Sequence, residues 1–356
     1  MTTKPSRRGS GNEVVDEKLV DLLDELGTRN NRDQIYEILA TVAQMATDDL
    51  DRLDLKITNS ALREMGSAFR IFEPYGDVPK ITMFGSARTL PDDPLYAQAR
   101  NTAALLAEQG WMVVTGAGPG IMAAGLEGAG REQSMGINIR LPFEQGANAF
   151  IAGDPKLVEM KYFFTRKLML LKESSGFVVL PGGFGTLDEA LELLTLMQTG
   201  KADPSPIVLL DVRHGTYWKA WERFMDEEVL ARGLVSPEDR ALYRVTDDVR
   251  DAAEEILHFY RNYHSRRVVR DRLVLRLRFP PTPDELTALA DEFTDICQGG
   301  TIEASPPLPA EVADDDHLDL PRIVLRFDRI SLGRLRTLID RLNRLPSVPD
   351  AVPPVL

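Results

Sequence analysis

Two glycine-rich turns and one pair of adjacent cations are the places where this sequence could do chemistry. The first turn, GAGPGIM from Gly116 to Met122, sits between the hydrophobic run WMVVT and a helical stretch. Glycines let a backbone approach a phosphate, and the free N–H groups of a helix start supply donors and a favourable dipole. Gly116, Gly118 and Gly120 follow a GxGxG spacing. Ile121 stands where a dinucleotide fingerprint would carry its last glycine, and no acidic residue ends the next strand, so a dinucleotide is not expected. The cluster reads either as an anion loop or as a tight strand-to-helix turn.

The second turn, LPGGFGTLDE from Leu180 to Glu189, follows the run FVVL and opens another helix. Thr186-Leu187-Asp188-Glu189 spells a capping box, in which Thr186 caps the helix and Glu189 reaches back to the cap's N–H. The same glutamate could be a catalytic carboxylate, and spacing leaves both readings open. Arg166 and Lys167 lie side by side in FFTRKLMLLKES, an otherwise aromatic and aliphatic helix. They are either solvated or, for the arginine, a bidentate partner of phosphate or a sugar hydroxyl. GSAR, Gly85 to Arg88, is a further small-residue turn.

These turns need a scaffold that brings them to one edge. From Lys80 onward, β-rich runs alternate with helical stretches, the pattern of βαβ units. Strands are expected at Lys80 to Phe84, Trp111 to Thr115, Met135 to Leu141, Gly176 to Leu180, Pro206 to Leu210 and Leu242 to Val245. The fold expected is α/β, a Rossmann-like doubly wound parallel sheet, with glycine loops after the second and fourth strands facing one crevice. Before it, Val14 to Phe72 is helical in pattern and lacks proline, and Pro74 and Pro79 mark a linker. After His264, RLVLRL from Arg272 recurs as RIVLRF from Arg322, each followed by a helical stretch, which implies a small α+β domain with an internal βα repeat. The expected organisation is a disordered arm over 1–13, a helical extension over 14–77, the α/β domain over 78–264 and the small domain over 265–356. In the small domain, Arg272, Arg276 and Arg326 are expected to face outward, and Pro306 to Asp319 to form a solvated acidic loop.

The chain has 356 residues, 43% of them hydrophobic, with 55 Asp and Glu against 42 Lys and Arg and a net charge of −13. That balance argues against binding nucleic acid or an anionic membrane through bulk charge. A single cysteine, Cys297, excludes an internal disulfide framework and any CxxC site. With no long apolar run and no signal peptide, a cytoplasmic location is expected. His214, His258, His264 and His317 show no ligand spacing, so no metal is expected.

GSAR, VVTGAGPGIM, GINIRLPFEQ, FFTRK and PGGFGTLDE, in this order, resemble the LOG family of Rossmann-fold nucleoside 5'-monophosphate phosphoribohydrolases, formerly labelled lysine decarboxylases. The resemblance covers roughly Val78 to Tyr263. It implies cleavage of an N-glycosidic bond to free base and ribose 5-phosphate, no cofactor, and a homodimer or higher homo-oligomer. It places Arg166 and Glu189 on the catalytic positions. Gly182, Gly183, Gly185 and Thr186 fall on the phosphate loop, and Glu144, Lys167 and Thr195 on substrate-contacting positions. Gly85, Ser86, Gly116, Gly118, Gly120 and Asp188 complete the expected binding set. Phe163-Phe164-Thr165 and Gly116-Ala117-Gly118 depart from the MHxRK and GGG of the short cytokinin-activating type and resemble longer bacterial members. AMP or another nucleotide is thus at least as well matched as a prenylated one.

Two rivals belong to other classes. A non-catalytic nucleotide sensor would keep the loops for binding. A pyridoxal phosphate decarboxylase would need a Schiff-base lysine with a partner for the ring nitrogen, and Lys167 and Lys172 are candidates by type only. Separately, Arg266, Arg267, Arg270, Arg272, Arg276 and Arg278, with Arg334, Arg336, Arg341 and Arg344, could form either a solvated strand face or a site for an anionic regulator or subunit contact.

Overall fold

The structure, a computed structural model, describes residues 9–140 and 146–349. Much of the expected N-terminal arm, residues 1–8, lies outside that range. The chain divides into two compact units, Met1–Arg63 and Glu64–Leu356.

In the first unit, Asn12 caps α1 (Glu13–Glu25) by accepting from the Val14 and Val15 N–H groups, and Ser10 N–H bonds Asp16. Leu23 of α1 packs with Tyr36 and Ala40 of α2 (Arg32–Thr47), as the apolar periodicity requires. Helix α3 (Arg52–Phe72) runs into the second unit, where Ala68 and Phe72 join the main core.

The second unit is built on a seven-stranded parallel sheet, one strand more than expected. Its strands are β1 (Lys80–Phe84), β2 (Met112–Thr115), β3 (Ser134–Ile139), β4 (Leu157–Met160), β5 (Gly176–Val179), β6 (Ile207–Leu210) and β7 (Arg244–Thr246), in the order β4-β3-β2-β1-β5-β6-β7. The unforeseen strand is β4, at an edge. Its four residues alternate buried and exposed, and Glu159 within it pairs with Arg140 at 2.6 Å, so LVEM carries no apolar run and reads as the start of a helix. The central strands β1, β2, β5 and β6 are buried throughout, as expected when helices cover both faces. Those helices are α4 (Pro94–Glu108), α5 (Ile121–Ala129), α6 (Phe163–Lys172), α7 (Phe184–Gln198), α8 (Tyr217–Phe224) and α9 (Val249–Phe259). The chain winds away from β1 in both directions, so the switch point lies between β1 and β5, where Phe84 is opposite Val179.

A second, antiparallel sheet follows, in the order β10-β11-β9-β8, from β8 (Tyr263–Val269), β9 (Arg272–Leu277), β10 (Glu303–Ala304) and β11 (Arg322–Leu325). The two halves of the sequence repeat are neighbours, with Leu275 opposite Ile323 and Arg276 opposite Arg322. Helices α10 (Pro283–Glu292) and α12 (Leu332–Asn343) supply Leu289, Leu335, Leu338 and Ile339 to its core.

Two expectations fail here. Arg272 and Arg326 are exposed, but Arg276 is only 3% exposed. The acidic stretch is also no solvated loop, because it contains α11 (Pro309–Asp314), whose Glu311 is fully buried against Arg276 and Arg322 at 2.8 and 2.7 Å. Strand alternation could not reveal this, because the arginine's partner comes from a segment 35 residues away. Five arginines of the wider basic face are also engaged within the chain, while Arg270, Arg272 and Arg344 are exposed. Arg266 pairs with Asp203, Arg267 with Asp314 and Asp316, Arg334 with Asp295, Arg336 with Glu255 and Asp340, and Arg341 with Glu292.

Candidate active site

The carboxyl ends of β1, β2 and β5 open into a cleft of about 910 Å³. Three turns meet there and are stitched together by their backbones. Ser86 N–H donates to Pro181 O at 3.2 Å, and Ile121 N–H to Ser86 O at 3.0 Å. Gly120 makes that approach possible. Its φ is +68°, and a Cβ there would stand 2.3 Å from Ser86 O. Gly116 is needed for a different reason: a Cβ would lie 1.9 Å from Nη2 of Arg166.

Arg166 enters from α6. Its Nε donates to Ile137 O at 2.9 Å and its Nη2 to Gly116 O at 3.3 Å, so it is positioned by the sheet edge rather than solvated. Glu64 of α3 fixes the start of that helix by accepting from Lys161 N–H at 3.0 Å and Thr165 Oγ1 at 2.7 Å.

Helix α7 decides between the two readings of Glu189. The N-cap is Gly183, with no side-chain capping bond, and Thr186 lies within the first turn. The capping box is therefore absent, and the first-turn N–H groups have no side-chain acceptor at the cap, the condition for receiving an anion. Glu189 is 7% exposed and its Oε2 has no hydrogen-bond partner among the described residues. Burial pushes its carboxyl up to about 7, against the opposing pull of the Lys167 and Arg166 charges. A buried carboxyl poised near neutrality in a cleft has the properties of an acid–base or charge-stabilising group.

Of the expected residues, Gly85, Ser86, Gly116, Gly118, Gly182, Gly183, Gly185, Thr186 and Asp188 line the cleft with Arg166 and Glu189. Gly120 lies behind them as the turn. Lys167 is not on the lining; its ammonium pairs with Asp188 at 2.9 Å and with Glu192. Thr195 is exposed and spends its hydroxyl on Leu191 O at 2.8 Å, away from the lining. Glu144 lies outside the described residues.

Two residues were not anticipated. Asn138, 9% exposed, faces the cleft from β3; a lone amide in the apolar run SMGINI was its only signal. Tyr217, at the start of α8, donates its hydroxyl to Gly182 O at 2.8 Å, holding that carbonyl so that the turn's N–H groups stay available. Nothing in the sequence links Tyr217 to a glycine 35 residues earlier.

Residues 117–256 match the family model described as "Possible lysine decarboxylase". A cytokinin riboside 5'-monophosphate phosphoribohydrolase of Arabidopsis thaliana is 41% identical over 75 residues, 21% of this chain and 33% of that protein. A protein of Oryza sativa subsp. japonica, named as a probable enzyme of the same kind, is 34% identical over 101 residues, 28% of this chain and 46% of its own. The chain thus spans between a third and half of the length of these curated relatives. Among solved structures, the molybdenum cofactor carrier protein of Chlamydomonas reinhardtii is similar at 21% identity and a TM-score of 0.36, over 49% of this chain and 94% of that one. Through its central segment, which carries both glycine turns' helices, Arg166 and Glu189, this chain is similar to the LOG phosphoribohydrolases.

Proposed function

We propose that this chain hydrolyses the N-glycosidic bond of a nucleoside 5'-monophosphate, giving free base and ribose 5-phosphate. The observation that carries this reading is Glu189, a buried carboxyl near neutrality beside Arg166, in the second turn of a helix whose start is uncapped. The phosphate would sit on the N–H groups of Gly182 to Thr186, a remote contact that places C1' against the carboxylate. As the C1'–N bond breaks, positive charge develops on the sugar, and ionised Glu189 stabilises it and orients water. The water oxygen bonds C1', and one of its protons is accounted for on the departing base. Arg166 holds the nucleotide, and Asn138 offers an amide to its base or sugar.

AMP and related nucleotides, cytokinin nucleotides included, form the substrate class. A homodimer or larger assembly fits the apolar residues exposed near the cleft, Phe163, Phe164, Leu168 and Phe184. A Schiff-base role for Lys167 is disfavoured: burial would lower its pKa, but bonds to Glu192 and Asp188 raise it and keep the amine protonated.

Assay of AMP, GMP, CMP, UMP and N6-prenyl-AMP should detect ribose 5-phosphate from at least one. Arg166→Ala and Glu189→Gln should each lower kcat/KM by about 100-fold or more. Tight binding of a nucleotide with no cleavage of any would replace the enzyme with the sensor.

A further inference from the structure

A second cavity, about 1260 Å³, opens at the opposite, amino-terminal end of the parallel sheet, roofed by the antiparallel sheet. Its lining includes Pro79 and Lys80 at the start of β1, Ser174 and Ser175 before β5, Pro204 and Ser205 before β6, and Tyr263 to Arg266 of β8. None of these belongs to the cleft, although Phe163 and Asp188 touch the rims of both.

Two polar groups in it are unexplained by the fold. Lys80 is 3% exposed, and its Nζ donates to Tyr75 O at 2.5 Å and Val78 O at 2.9 Å. Both acceptors are neutral, the third N–H is uncommitted, and no carboxylate lies within ion-pair distance among the described residues. Glu173, whose charge favours the cation most, is bonded to Lys172 instead. Buried charges are ordinarily paired or neutralised. Burial here lowers the Lys80 pKa, which marks a cation lacking compensation. Tyr263 is 2% exposed, and its hydroxyl has no hydrogen bond among the described residues.

The rest of the wall is apolar and aromatic: Phe177, Leu196, Met197 and Tyr260. The His264 and His317 rings meet at 4.7 Å. Burial, with His317 and two arginines nearby, pushes His264 down to about 4, so it is an uncharged wall at neutral pH. A cavity with an apolar floor and a few convergent polar groups is the usual form of a small-molecule site.

We infer that this cavity binds an amphipathic organic anion, with its carboxylate or phosphate on Lys80 and the Tyr263 hydroxyl and its apolar body along Phe177, Leu196 and Met197. The site is independent of the proposed reaction. The anion supplies the charge that Lys80 lacks, and Lys167, bonded to Asp188 and Glu192 at the shared rim, links this cavity to the helices bearing Arg166 and Glu189.

Calorimetric titration of the full chain tests it, with phenyl phosphate and benzoate as separate probes, benzyl alcohol as the neutral control, and ribose 5-phosphate present to occupy the cleft. One anion or both should bind at least tenfold tighter than the alcohol, the tighter identifying the headgroup. Lys80→Met should weaken binding at least tenfold and Tyr263→Phe about threefold. Should Lys80→Met fail to fold, Tyr263→Phe carries the test, since it removes only a hydroxyl. Wild-type affinity in a folded Lys80→Met or in Tyr263→Phe, or anion binding no tighter than the alcohol, would overturn the proposal. None of these outcomes depends on whether nucleotides are cleaved.

Discussion

Glu189 and Glu311 are both buried glutamates beside arginines, yet their carboxyls shift in opposite directions. At Glu189 burial dominates, and the carboxyl rises to about 7 with one oxygen unpartnered. At Glu311 burial would also raise it, but the Leu308 N–H and the Arg276 and Arg322 guanidinium groups outweigh that and hold it below its ordinary value. Satisfaction of the oxygens, not depth, therefore separates the raised carboxyl from the lowered one. Around Glu311 the strap α11 is clamped to the antiparallel sheet. Around Glu189 the cleft leaves room for a ligand.

The comparison breaks most sharply at Glu311. Glu311→Gln leaves Arg276 and Arg322 without their shared carboxylate and should cost about 3–5 kcal/mol in urea unfolding; a loss below about 1 kcal/mol would mean that the network contributes nothing. Glu189→Gln should do the reverse. The folded pKa of Glu189 lies above its unfolded value near 4.5, so ionisation weakens the fold progressively from about pH 4.5 to about 7. The glutamine variant should gain on the order of 2–3 kcal/mol over wild type at pH 8 and nothing at pH 4, while losing activity.

Acid separates the pair again. Glu311 has a depressed folded pKa, so its stabilisation is full above about pH 4.5 and is lost as pH falls through that lowered value. In contrast, kcat for nucleotide cleavage should climb roughly tenfold between pH 6 and 8, with a midpoint near 7 set by ionisation of Glu189. A flat profile would remove the carboxylate from the chemistry. The smallest effect belongs to Tyr217→Phe, which frees the Gly182 carbonyl; kcat/KM should fall about fivefold, mainly through KM, with stability changed by less than about 1 kcal/mol.

The core of the sheet was legible because β1, β2, β5 and β6 are short, largely apolar runs bounded by turn residues, a signal local to each strand. β4 was not, since an edge strand needs little apolar surface and LVEM has half of one. The glycine turns, Arg166 and Glu189 were legible as types and spacings. Tyr217 was hidden because it acts through Gly182, 35 residues away, and Asn138 because a lone amide within a strand has no spacing to mark it.

Sequence alone therefore determined the parallel α/β core, the positions of the glycine turns and the residue types available for chemistry, because these depend on period and backbone freedom within one segment. Only the tertiary structure decided which of two readings each charged residue takes. It made Glu189 a cleft carboxyl instead of a cap, Arg166 a positioned donor instead of a solvated one, and Arg276 a buried partner instead of a surface charge. A charge's role is set by what solvates it, and that is supplied by segments the local sequence does not contain.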